Sequence, residues 1–519
     1  MDPRIRKNSK KVLVVGLDGA TFDLIMPWIT EGLLPNMFKM LRNGLHNELI
    51  STIPMFTPTA WSSFMTGKNP GKHGVTGFFT RDKKNYELSL INPSNIRGNV
   101  LWDILGENGK RVIIINVPTT YPPKKVNGLL ITGMLTPSKS KNFTYPLSLR
   151  SEINALVGEY KIYPSHLYSE NREDLFISDV FKVTEIQAKT AEYLMQKYPW
   201  DFFMIVFTGG DQLQHAFWKH IDAKHPKYCK EKEKKYREIL FQYYKKTDDV
   251  IGRLFDKSGK NATKIVMSDH GFGPLYKFIH INQWLIEKKL LKFKNNPFII
   301  LKYQLFKLGI TPESVYNIFL KVFLGDIRSK LGRRKGHKLI SKLFLSFSDV
   351  DWKKSRAFSM GAMGQIYLNV KGRESKGIVQ PGEEYRILRK KISNLLYKLN
   401  DADTGKPVID QVFFKEDIYH GCYLKEMPDI VILPGEGYIG FEEYEFASNK
   451  VLKKSVGISG THRLNGILIA SGPNIKGGFK LKKKPKIWDI TPTIYKVMNI
   501  PVPSEVDGSV LKELITKIR

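Results

Sequence analysis

Three aspartates and three histidines lie beside short apolar runs that are typical of β-strands. They are Asp18, Asp211, His215, Asp269, His270 and His462. In open α/β sheets, ligands bind beyond the carboxyl ends of the strands. Side chains of these types in these places could therefore hold metal ions next to a substrate.

Two pairs among these residues have a spacing that allows them to act together. Asp211 and His215 in "GGDQLQHAFW" are four residues apart, which places them on one face of a helix that begins there. Asp269 and His270 follow the run "KIVMS", and Gly271 after them allows a sharp turn toward a shared ligand. Each residue also has an ordinary structural alternative, as a capping aspartate or a buried histidine.

The donor types indicate which ions such a site would take. Carboxylate and imidazole together suit Zn²⁺, Mn²⁺ or Fe²⁺ better than Mg²⁺ or Ca²⁺. A catalytic zinc typically uses three protein ligands and a water, so six residues are more than one ion needs. Two divalent ions, with Zn²⁺ as the first choice, are the simplest interpretation, and such a pair suits in-line displacement at phosphorus.

Strand-like runs and helical patterns alternate along most of the chain. The runs are Val12–Val15, Val112–Pro118, Phe202–Phe207, Lys264–Gly271, Pro428–Pro434 and Gly466–Pro473. Continuous apolar runs are typical of strands that are covered on both faces, as in a mainly parallel sheet. Helical patterns such as Leu34–Gly44 lie between them, so the sequence predicts an α/β sandwich.

With 519 residues, the chain is too long for one simple core, and we expect two domains or one domain with a large insertion. Residues 275–445 are basic and helical at first and then mixed, and we interpret them as a cap. The catalytic core would then consist of residues 1–274 and 446–519, and the second part would supply His462. Helical patterns in the cap include Ser314–Gly325 and Leu331–Leu343.

The composition limits the class of protein. The hydrophobic fraction of 42% and the charged fraction of 25% are typical of a folded protein, so extensive disorder is not expected. The net charge of +32 would attract phosphate-bearing partners or anionic surfaces, or would simply solvate a lysine-rich surface.

Two further features concern the compartment of the protein. Only Cys229 and Cys422 are present, which excludes a disulfide framework, and we expect buried thiols in a reducing compartment. The first apolar run, Val12–Val15, is too short for a signal peptide, and no run is long enough to span a membrane. We therefore expect a cytoplasmic protein.

Five motifs, in order, resemble the alkaline phosphatase superfamily. They are "GLDG", "TPTAW…MTGKNPGKHG", "GGDQLQHAFW", "SDHGFGP" and "GTHRLNG". The sequence is most similar to the type I phosphodiesterase/nucleotide pyrophosphatase family, in its cytoplasmic archaeal and bacterial branch, over essentially the whole chain. The resemblance implies an alkaline-phosphatase-like three-layer α/β/α sandwich with a mainly parallel central sheet and a cap insertion.

The resemblance also implies a role for each site residue. The first ion would be held by Asp211, His215 and His462, and the second by Asp18, Asp269, His270 and Thr57. Thr57 would be the nucleophile and form a phosphothreonine intermediate, which water then hydrolyses. The expected activity is that of a phosphodiesterase or nucleotide pyrophosphatase acting on a phosphorylated small molecule.

The stretch around Thr57 has a helix signature of its own. Pro58 suits the first position of a helix, so Thr57 would be the N-cap residue, and Gly67 would end the helix. A helix N-terminus binds phosphate oxygens through its free N–H groups. Thr59 and Ser62 are rival hydroxyls one turn further along, and the family spacing disfavours them.

The chain departs from the family at the residue that contacts a phosphoryl oxygen. The family has an asparagine there, after its His-Gly pair, and this sequence has Phe78. Trp61, Phe78 and Arg463 are candidates for substrate binding, although core packing is an alternative for the two aromatic residues. A phosphomonoesterase or phosphotransferase of the same superfamily is the alternative activity.

An alternative from a different functional class is a protein that binds anionic membranes or nucleic acid. The stretch 285–346 mixes apolar and cationic residues, as interfacial helices do. A cap whose lysines face solvent is the structural alternative. No specific nucleic-acid module is recognisable, so peripheral contact of the basic cap with an anionic membrane is the partner hypothesis.

Overall fold

The computed structural model describes residues 10–170, 172–312, 314, 343–361, 363–440, 446–473, 475–477 and 481–515, and its main feature is an eight-stranded sheet. The strands, in spatial order, are β2 (Leu45–Ile50), β18 (Asn465–Ser471), β9 (Ala262–Met267), β1 (Lys11–Leu17), β8 (Phe202–Phe207), β5 (Val112–Val117), β6 (Gly128–Thr132) and β7 (Thr144–Tyr145). Strands β9, β1, β8, β5 and β6 are parallel to their neighbours in this group, whereas β18 and β7 are antiparallel to theirs.

Helices cover both faces of this sheet. The described helices are α1 (Phe22–Thr30), α2 (Pro35–Asn43), α3 (Thr57–Thr66), α4 (Pro70–His73), α5 (Leu101–Glu107), α6 (Leu149–Val157), α7 (Glu173–Lys197), α8 (Gly209–Ile221), α9 (Lys230–Ser258), α10 (Ile281–Glu287), α11 (Pro297–Lys307), α12 (Glu383–Leu396), α13 (Lys415–Ile418) and α14 (Ile490–Val497). Helices α10 to α13 contribute to separate hydrophobic clusters and are not part of the layers on this sheet. Leu13 and Val15 of β1 pack toward α7, α8 and α9, and Val12 and Val14 pack toward α3, α5 and α14. The predicted three-layer α/β/α sandwich with a mainly parallel central sheet is therefore confirmed.

One predicted strand belongs to a different sheet. The prediction placed the run Pro428–Pro434 with the strands of a mainly parallel sheet, and this is wrong, because the run forms a strand of a separate antiparallel sheet. That sheet consists of β11 (Ala357–Ser359), β12 (Gln365–Leu368), β14 (Ile430–Pro434) and β13 (Ile409–Phe414). The run is buried at its start because it packs on the core of the cap, and local apolarity does not tell the two environments apart.

A long strand leads from the core into the region that the sequence marks as the cap. Strand β10 (Gly271–Ile279) pairs with β17 (Gly460–Arg463), β16 (Leu452–Lys454) and β15 (Gly437–Gly440). A two-stranded hairpin, β3 (Phe79–Arg81) and β4 (Leu88–Leu90), completes the described strands. The proposed boundary at residue 275 falls inside β10, and the division into core and cap stays a prediction.

Some sequence predictions fall outside the described residues, and one about the cysteines is wrong. The helical patterns Ser314–Gly325 and Leu331–Leu343 lie almost entirely outside the described residues. The expectation of buried thiols is wrong, because Cys422 is exposed and Cys229 is partly exposed. No described helix is both long enough and apolar enough to cross a lipid bilayer.

The start of α3 differs by one residue from the prediction. Thr57 is the first helical residue, Phe56 occupies the N-cap position, and the Thr57 side chain makes no capping hydrogen bond. The Thr57 hydroxyl is therefore available for another contact. Gly67 ends the helix in the left-handed conformation with a φ of 66°, as predicted.

A buried carboxylate lies next to the start of β14 in the cap sheet, which is the sheet formed by β11, β12, β14 and β13. Asp429 is fully buried and accepts hydrogen bonds from the Leu368 N–H, the Arg373 guanidinium, the Tyr385 hydroxyl and the Lys415 ammonium. These cations outweigh the effect of burial and hold the pKa of Asp429 below its ordinary value. The carboxylate thus joins β12, β14, α12 and α13 into one packed unit.

We expect Asp429→Asn to lower the free energy of unfolding by about 3–5 kcal/mol, since it removes the ion-pair partner of the buried Lys415 and one of the two carboxylates that pair with Arg373. Chemical denaturation at neutral pH measures this loss. Asp410→Asn is the matched control, because Asp410 lies exposed on β13 of the same sheet. Equal stability of the two variants would contradict a structural role for the buried carboxylate.

Candidate active site

The six predicted ligand residues come together at one edge of the central sheet. Strands β9, β1 and β8 are neighbours, and each ends in a segment that carries site residues. Asp18 follows β1, Asp211 lies in the first turn of α8 after β8, and Asp269 follows β9. His462 comes from β17, which pairs with β10 so that His462 lies opposite Phe272. The sheet topology therefore brings distant parts of the chain to one place.

One half of the site contains Asp211, His215 and His462. The Asp211 Oδ1 atom lies 3.4 Å from His215 Nε2 and 3.3 Å from His462 Nε2. The two Nε2 atoms are 3.1 Å apart. Three donor atoms thus converge on one point, as the predicted first ion requires.

The other half contains Asp18, Asp269, His270 and Thr57. The His270 Nε2 atom lies 3.5 Å from Asp18 Oδ1 and 3.3 Å from Asp269 Oδ2. The Thr57 Oγ1 atom lies 3.2 Å from the same nitrogen. The His270 and His462 rings stack at 3.6 Å, and His270 also lies within 4.8 Å of Asp211 and His462, so the two halves adjoin at His270.

These separations match the edges of a metal coordination shell. Tetrahedral zinc with ligand bonds of about 2.0–2.1 Å has neighbouring ligand atoms about 3.3 Å apart. The observed separations of 3.1–3.5 Å scatter around that value. Each half of the site could therefore hold a divalent ion with little movement of its side chains.

The three histidines are all oriented in the same way by the backbone. The Nδ1 atom of His215 contacts the Gly460 carbonyl, that of His270 contacts the Gly271 carbonyl, and that of His462 contacts the Met55 carbonyl, at 2.7–3.0 Å. A carbonyl accepts only, so each Nδ1 carries the proton and donates it. Each Nε2 lone pair then points into the site, which is the usual arrangement of a metal-binding histidine.

The carboxylates of the site lack the partners that buried charges need. Both oxygens of Asp18, Oδ1 of Asp211 and Oδ2 of Asp269 are buried and have no hydrogen bond within the described part of the chain. Burial of an unpaired charge costs several kcal/mol. Cations bound in the two halves of the site would satisfy these atoms.

The pKa values of the three carboxyl groups reflect their burial and their neighbours. Burial and the nearby Asp269 and Asp211 raise the pKa of Asp18 well above its ordinary value. Burial raises the pKa of Asp269 to about 7. Burial acts on Asp211 too, but His215 and His462 outweigh it and hold its pKa below the ordinary value.

The histidines shift in the opposite direction. Burial, with a contribution from His462, lowers the pKa of His270 well below its ordinary value, and burial also lowers the pKa of His215. These imidazoles are therefore neutral, which is the form that binds metal.

Among the hydroxyls of α3, only that of Thr57 touches the ligand cluster. Thr59 and Ser62 are fully buried, and their hydroxyls have no hydrogen-bond partner within the described residues. Thr57 is also buried, at 2% exposed, but its Oγ1 contacts His270. The structure thus separates Thr57 from its two rivals.

A cleft of about 870 Å³ adjoins the cluster and lies between the central core and the cap sheet. Met55 and His462 line it on the side of the cluster, and Met363, Leu433 and Tyr438 line it on the side of the cap. These cap residues are not among the site residues predicted from the sequence. No local signal marks them, because their position depends on how the cap sheet packs on the core.

The three substrate-binding candidates have different surroundings. Trp61 is fully buried, and a Cβ atom at Gly16 would lie 2.7 Å from its ring, so Trp61 packs on β1 and is not in the cleft. Phe78 is partly buried, packs edge-on against Phe56 and is not among the cleft residues. Core packing is therefore the role that the structure supports for both aromatic side chains.

Arg463 does line the cleft, but its guanidinium is engaged by the backbone. It donates hydrogen bonds to the carbonyls of His462 and Pro274. Burial lowers the pKa of Arg463 to about 10. Arg463 thus joins β17 to β10 and helps to position His462.

Comparisons with known proteins bear on this geometry. Residues 12–463 match the model of the family described as "Type I phosphodiesterase / nucleotide pyrophosphatase". The chain belongs to the type I phosphodiesterase/nucleotide pyrophosphatase family. This match covers most of the chain and includes all six ligand residues and Thr57, so the chain is a phosphoester hydrolase by family. None of the proteins with curated function matches the sequence.

Solved structures share the fold of this phosphodiesterase family member at low sequence identity. Human ectonucleotide pyrophosphatase/phosphodiesterase 5 is 14% identical, with 98% of this chain and 100% of that chain covered and a TM-score of 0.53. Wild-type alkaline phosphatase PafA is 15% identical, with coverage of 98% and 99% and a TM-score of 0.52. Phosphonoacetate hydrolase from Sinorhizobium meliloti 1021 is 15% identical, with coverage of 95% for both chains and a TM-score of 0.54.

We expect the purified phosphodiesterase family member to bind two divalent ions per chain, with an affinity that weakens from about pH 8 to about pH 6. The raised pKa values of Asp18 and Asp269 mean that protons must leave before a metal binds, whereas the histidines are already neutral. Elemental analysis and chelator competition measure both quantities. Asp269→Asn should bind fewer ions and show a weaker pH dependence, and an affinity independent of pH would contradict this account.

Proposed function

We propose that this protein is a phosphodiesterase or nucleotide pyrophosphatase that depends on two divalent ions and works through a phosphothreonine on Thr57. The observation that carries the proposal is the contact between Thr57 Oγ1 and His270 Nε2, inside the cluster of six ligand residues. Zn²⁺ is the ion that the mixed carboxylate and imidazole donors favour, and Mn²⁺ and Fe²⁺ are compatible with the same donors.

The ligand residues divide into two sets. Asp211, His215 and His462 would hold one ion, and Asp18, Asp269 and His270 would hold the other together with Thr57. When bound, the ions supply positive charge that lowers the pKa of the Thr57 hydroxyl and offsets charge on the phosphoryl group. The protein itself supplies the Thr57 hydroxyl and the backbone N–H groups at the start of α3.

Thr57 is placed to attack phosphorus from the start of a helix. Its oxygen would form a bond to phosphorus while the bond to the leaving oxygen breaks, and the hydroxyl proton would leave to solvent or the leaving group. Water would then cleave the Thr57 phosphoester, which restores the hydroxyl and releases the phosphoryl product. The buried position of Thr57 limits competing attack by bulk water.

Backbone groups at the same helix end support phosphate binding. The N–H groups of Thr57 and Thr59 have no backbone acceptor in the described part of the chain, because they lie in the first turn of α3. Such groups and the helix dipole favour phosphoryl oxygens. They offer a replacement for the family asparagine whose place Phe78 takes.

The cleft supports a substrate with a sizeable leaving group. Its volume of about 870 Å³ exceeds what a bare phosphate needs, and it borders Met55 and His462 at the cluster. A murine ectonucleotide pyrophosphatase/phosphodiesterase 5 with the same fold was solved in an inactive form with AMP. A nucleotide-sized diester is the substrate class that this arrangement supports.

We expect Thr57→Val to lower kcat/KM for bis-p-nitrophenyl phosphate by at least about 10³-fold, because it removes the nucleophile and keeps the side-chain shape. Thr59→Val is the matched control, since it deletes a buried and unpartnered hydroxyl on the same helix, and it should retain activity. Thr57→Ser should keep part of the activity. Metal content is measured in parallel, and full activity of Thr57→Val with both ions bound would refute the mechanism.

A comparison of hydrolysis rates on a matched diester and monoester distinguishes a phosphodiesterase from a phosphomonoesterase. We expect kcat/KM for bis-p-nitrophenyl phosphate to exceed that for p-nitrophenyl phosphate by at least about tenfold, since the Arg463 guanidinium beside the cluster is engaged by the carbonyls of His462 and Pro274 and does not meet the extra charge of a monoester. A preference for the monoester would assign the protein to the monoesterase alternative. The comparison uses one enzyme preparation with its ions bound.

A further inference from the structure

Helix α11 of the cap is apolar on two sides. Its inner side carries Ile299 and Phe306, which are buried in the cap core, with Tyr303 packed beside them. Lys302 on this side is also buried and forms an ion pair with Asp349 at 3.1 Å. The inner side is therefore fully used by the fold.

The outer side of the same helix carries a second apolar stripe. Its members are Phe298, Leu301, Leu305 and Leu308, with spacings of three, four and three residues, so they lie along one face. Phe298 is 60% exposed, Leu301 is 57% exposed and Leu308 is 78% exposed. Contiguous apolar exposure of this kind marks an interaction surface rather than ordinary surface composition.

Apolar exposure continues on both sides of the stripe. Ile300 is 44% exposed, and Ile310 just after the helix is 46% exposed. In the described part of the chain, five large apolar side chains are thus exposed within the thirteen residues 298–310, although α11 needs only its inner side to pack on the cap core. Exposure of this much apolar surface to water is unfavourable, which points to a partner with an apolar interior.

The chain around the stripe is strongly cationic. Lys288, Lys289, Lys292 and Lys294 precede α11 and are exposed, and Lys307 is exposed near its end. The nearest acid in this sequence, Glu287, accepts a hydrogen bond from Gln283. The whole protein carries a net charge of +32. An apolar stripe with flanking lysines suits the surface of an anionic bilayer, where the stripe can contact acyl chains and the lysines can contact headgroups.

We propose that the outer face of α11, formed by Phe298, Leu301, Leu305 and Leu308 with its flanking lysines, docks the protein on the surface of an anionic lipid bilayer. The apolar side chains enter the boundary between headgroups and acyl chains, and the lysines contact the headgroups. The inference does not depend on the proposed catalytic function. Nucleic acid is the less suitable partner, because phosphate contacts make no use of exposed leucines.

The test is co-sedimentation of the full-length protein with vesicles. Vesicles of phosphatidylcholine with about one third phosphatidylglycerol should bind the protein at low salt, and pure phosphatidylcholine vesicles should bind it at least about tenfold more weakly. Raising NaCl to about 0.5 M should weaken binding to the anionic vesicles by a similar factor.

Two sets of variants separate the apolar and the charged contributions. Phe298→Ser, Leu301→Ser and Leu308→Ser combined should weaken binding to anionic vesicles by at least about tenfold. Lys288→Glu with Lys292→Glu should weaken it to a similar extent. The matched control is Leu147→Ser with Leu167→Ser, because each of these leucines is 62% exposed but lies outside α11. The control should bind as the wild type does.

The remaining outcomes would overturn the proposal. They are the absence of binding to anionic vesicles at low salt, equal binding of the triple serine variant, and binding to duplex DNA alone. Sedimentation velocity without lipid tests a second copy as the occupant, and a wild-type dimer that the triple variant converts to a monomer would assign the stripe to self-association. An unchanged far-UV circular dichroism spectrum and an unchanged thermal unfolding midpoint show that each variant is folded.

Discussion

The active site depends on the need to neutralise three carboxylates buried at one edge of a sheet. Asp18, Asp211 and Asp269 lie within reach of one another, and several of their oxygens have no hydrogen bond within the described residues. Without a cation, the low dielectric raises the pKa of Asp18 and Asp269. The fold tolerates this cost because the surrounding strands and helices hold the acids in place, which is the usual condition of a functional site.

The histidines and Thr57, the proposed nucleophile, are held by backbone groups from other parts of the chain. Each imidazole donates through Nδ1 to a carbonyl, and the Met55 carbonyl that receives His462 belongs to the segment that leads into Thr57. Hence the hydroxyl and the ligands that it needs are positioned by one connected set of contacts. Strand β10 extends this set, because it joins the site at Gly271 to the sheets of the cap.

Much of the site followed from the sequence because its signals are local. Continuous apolar runs produced the strands of the central sheet, and acids directly after them could only lie at its carboxyl edge. The predictions failed where one local pattern fits two environments. The run before Pro434 is a strand in either case, and only packing places it in the cap sheet. The sequence also placed Thr57 at the N-cap of α3, one residue from its actual position as the first helical residue. Only the tertiary structure shows that its hydroxyl contacts His270.

The sequence by itself determined the fold class, the six candidate ligand residues and the family to which the chain belongs, since each rests on residue type and short-range spacing. The tertiary structure decided which hydroxyl meets the ligands, that Trp61 packs in the core, and that Arg463 binds backbone carbonyls. It also formed the cleft between core and cap and left one side of α11 open to solvent. These features arise from contacts between residues that are hundreds of positions apart, and such contacts leave no periodic trace in the chain.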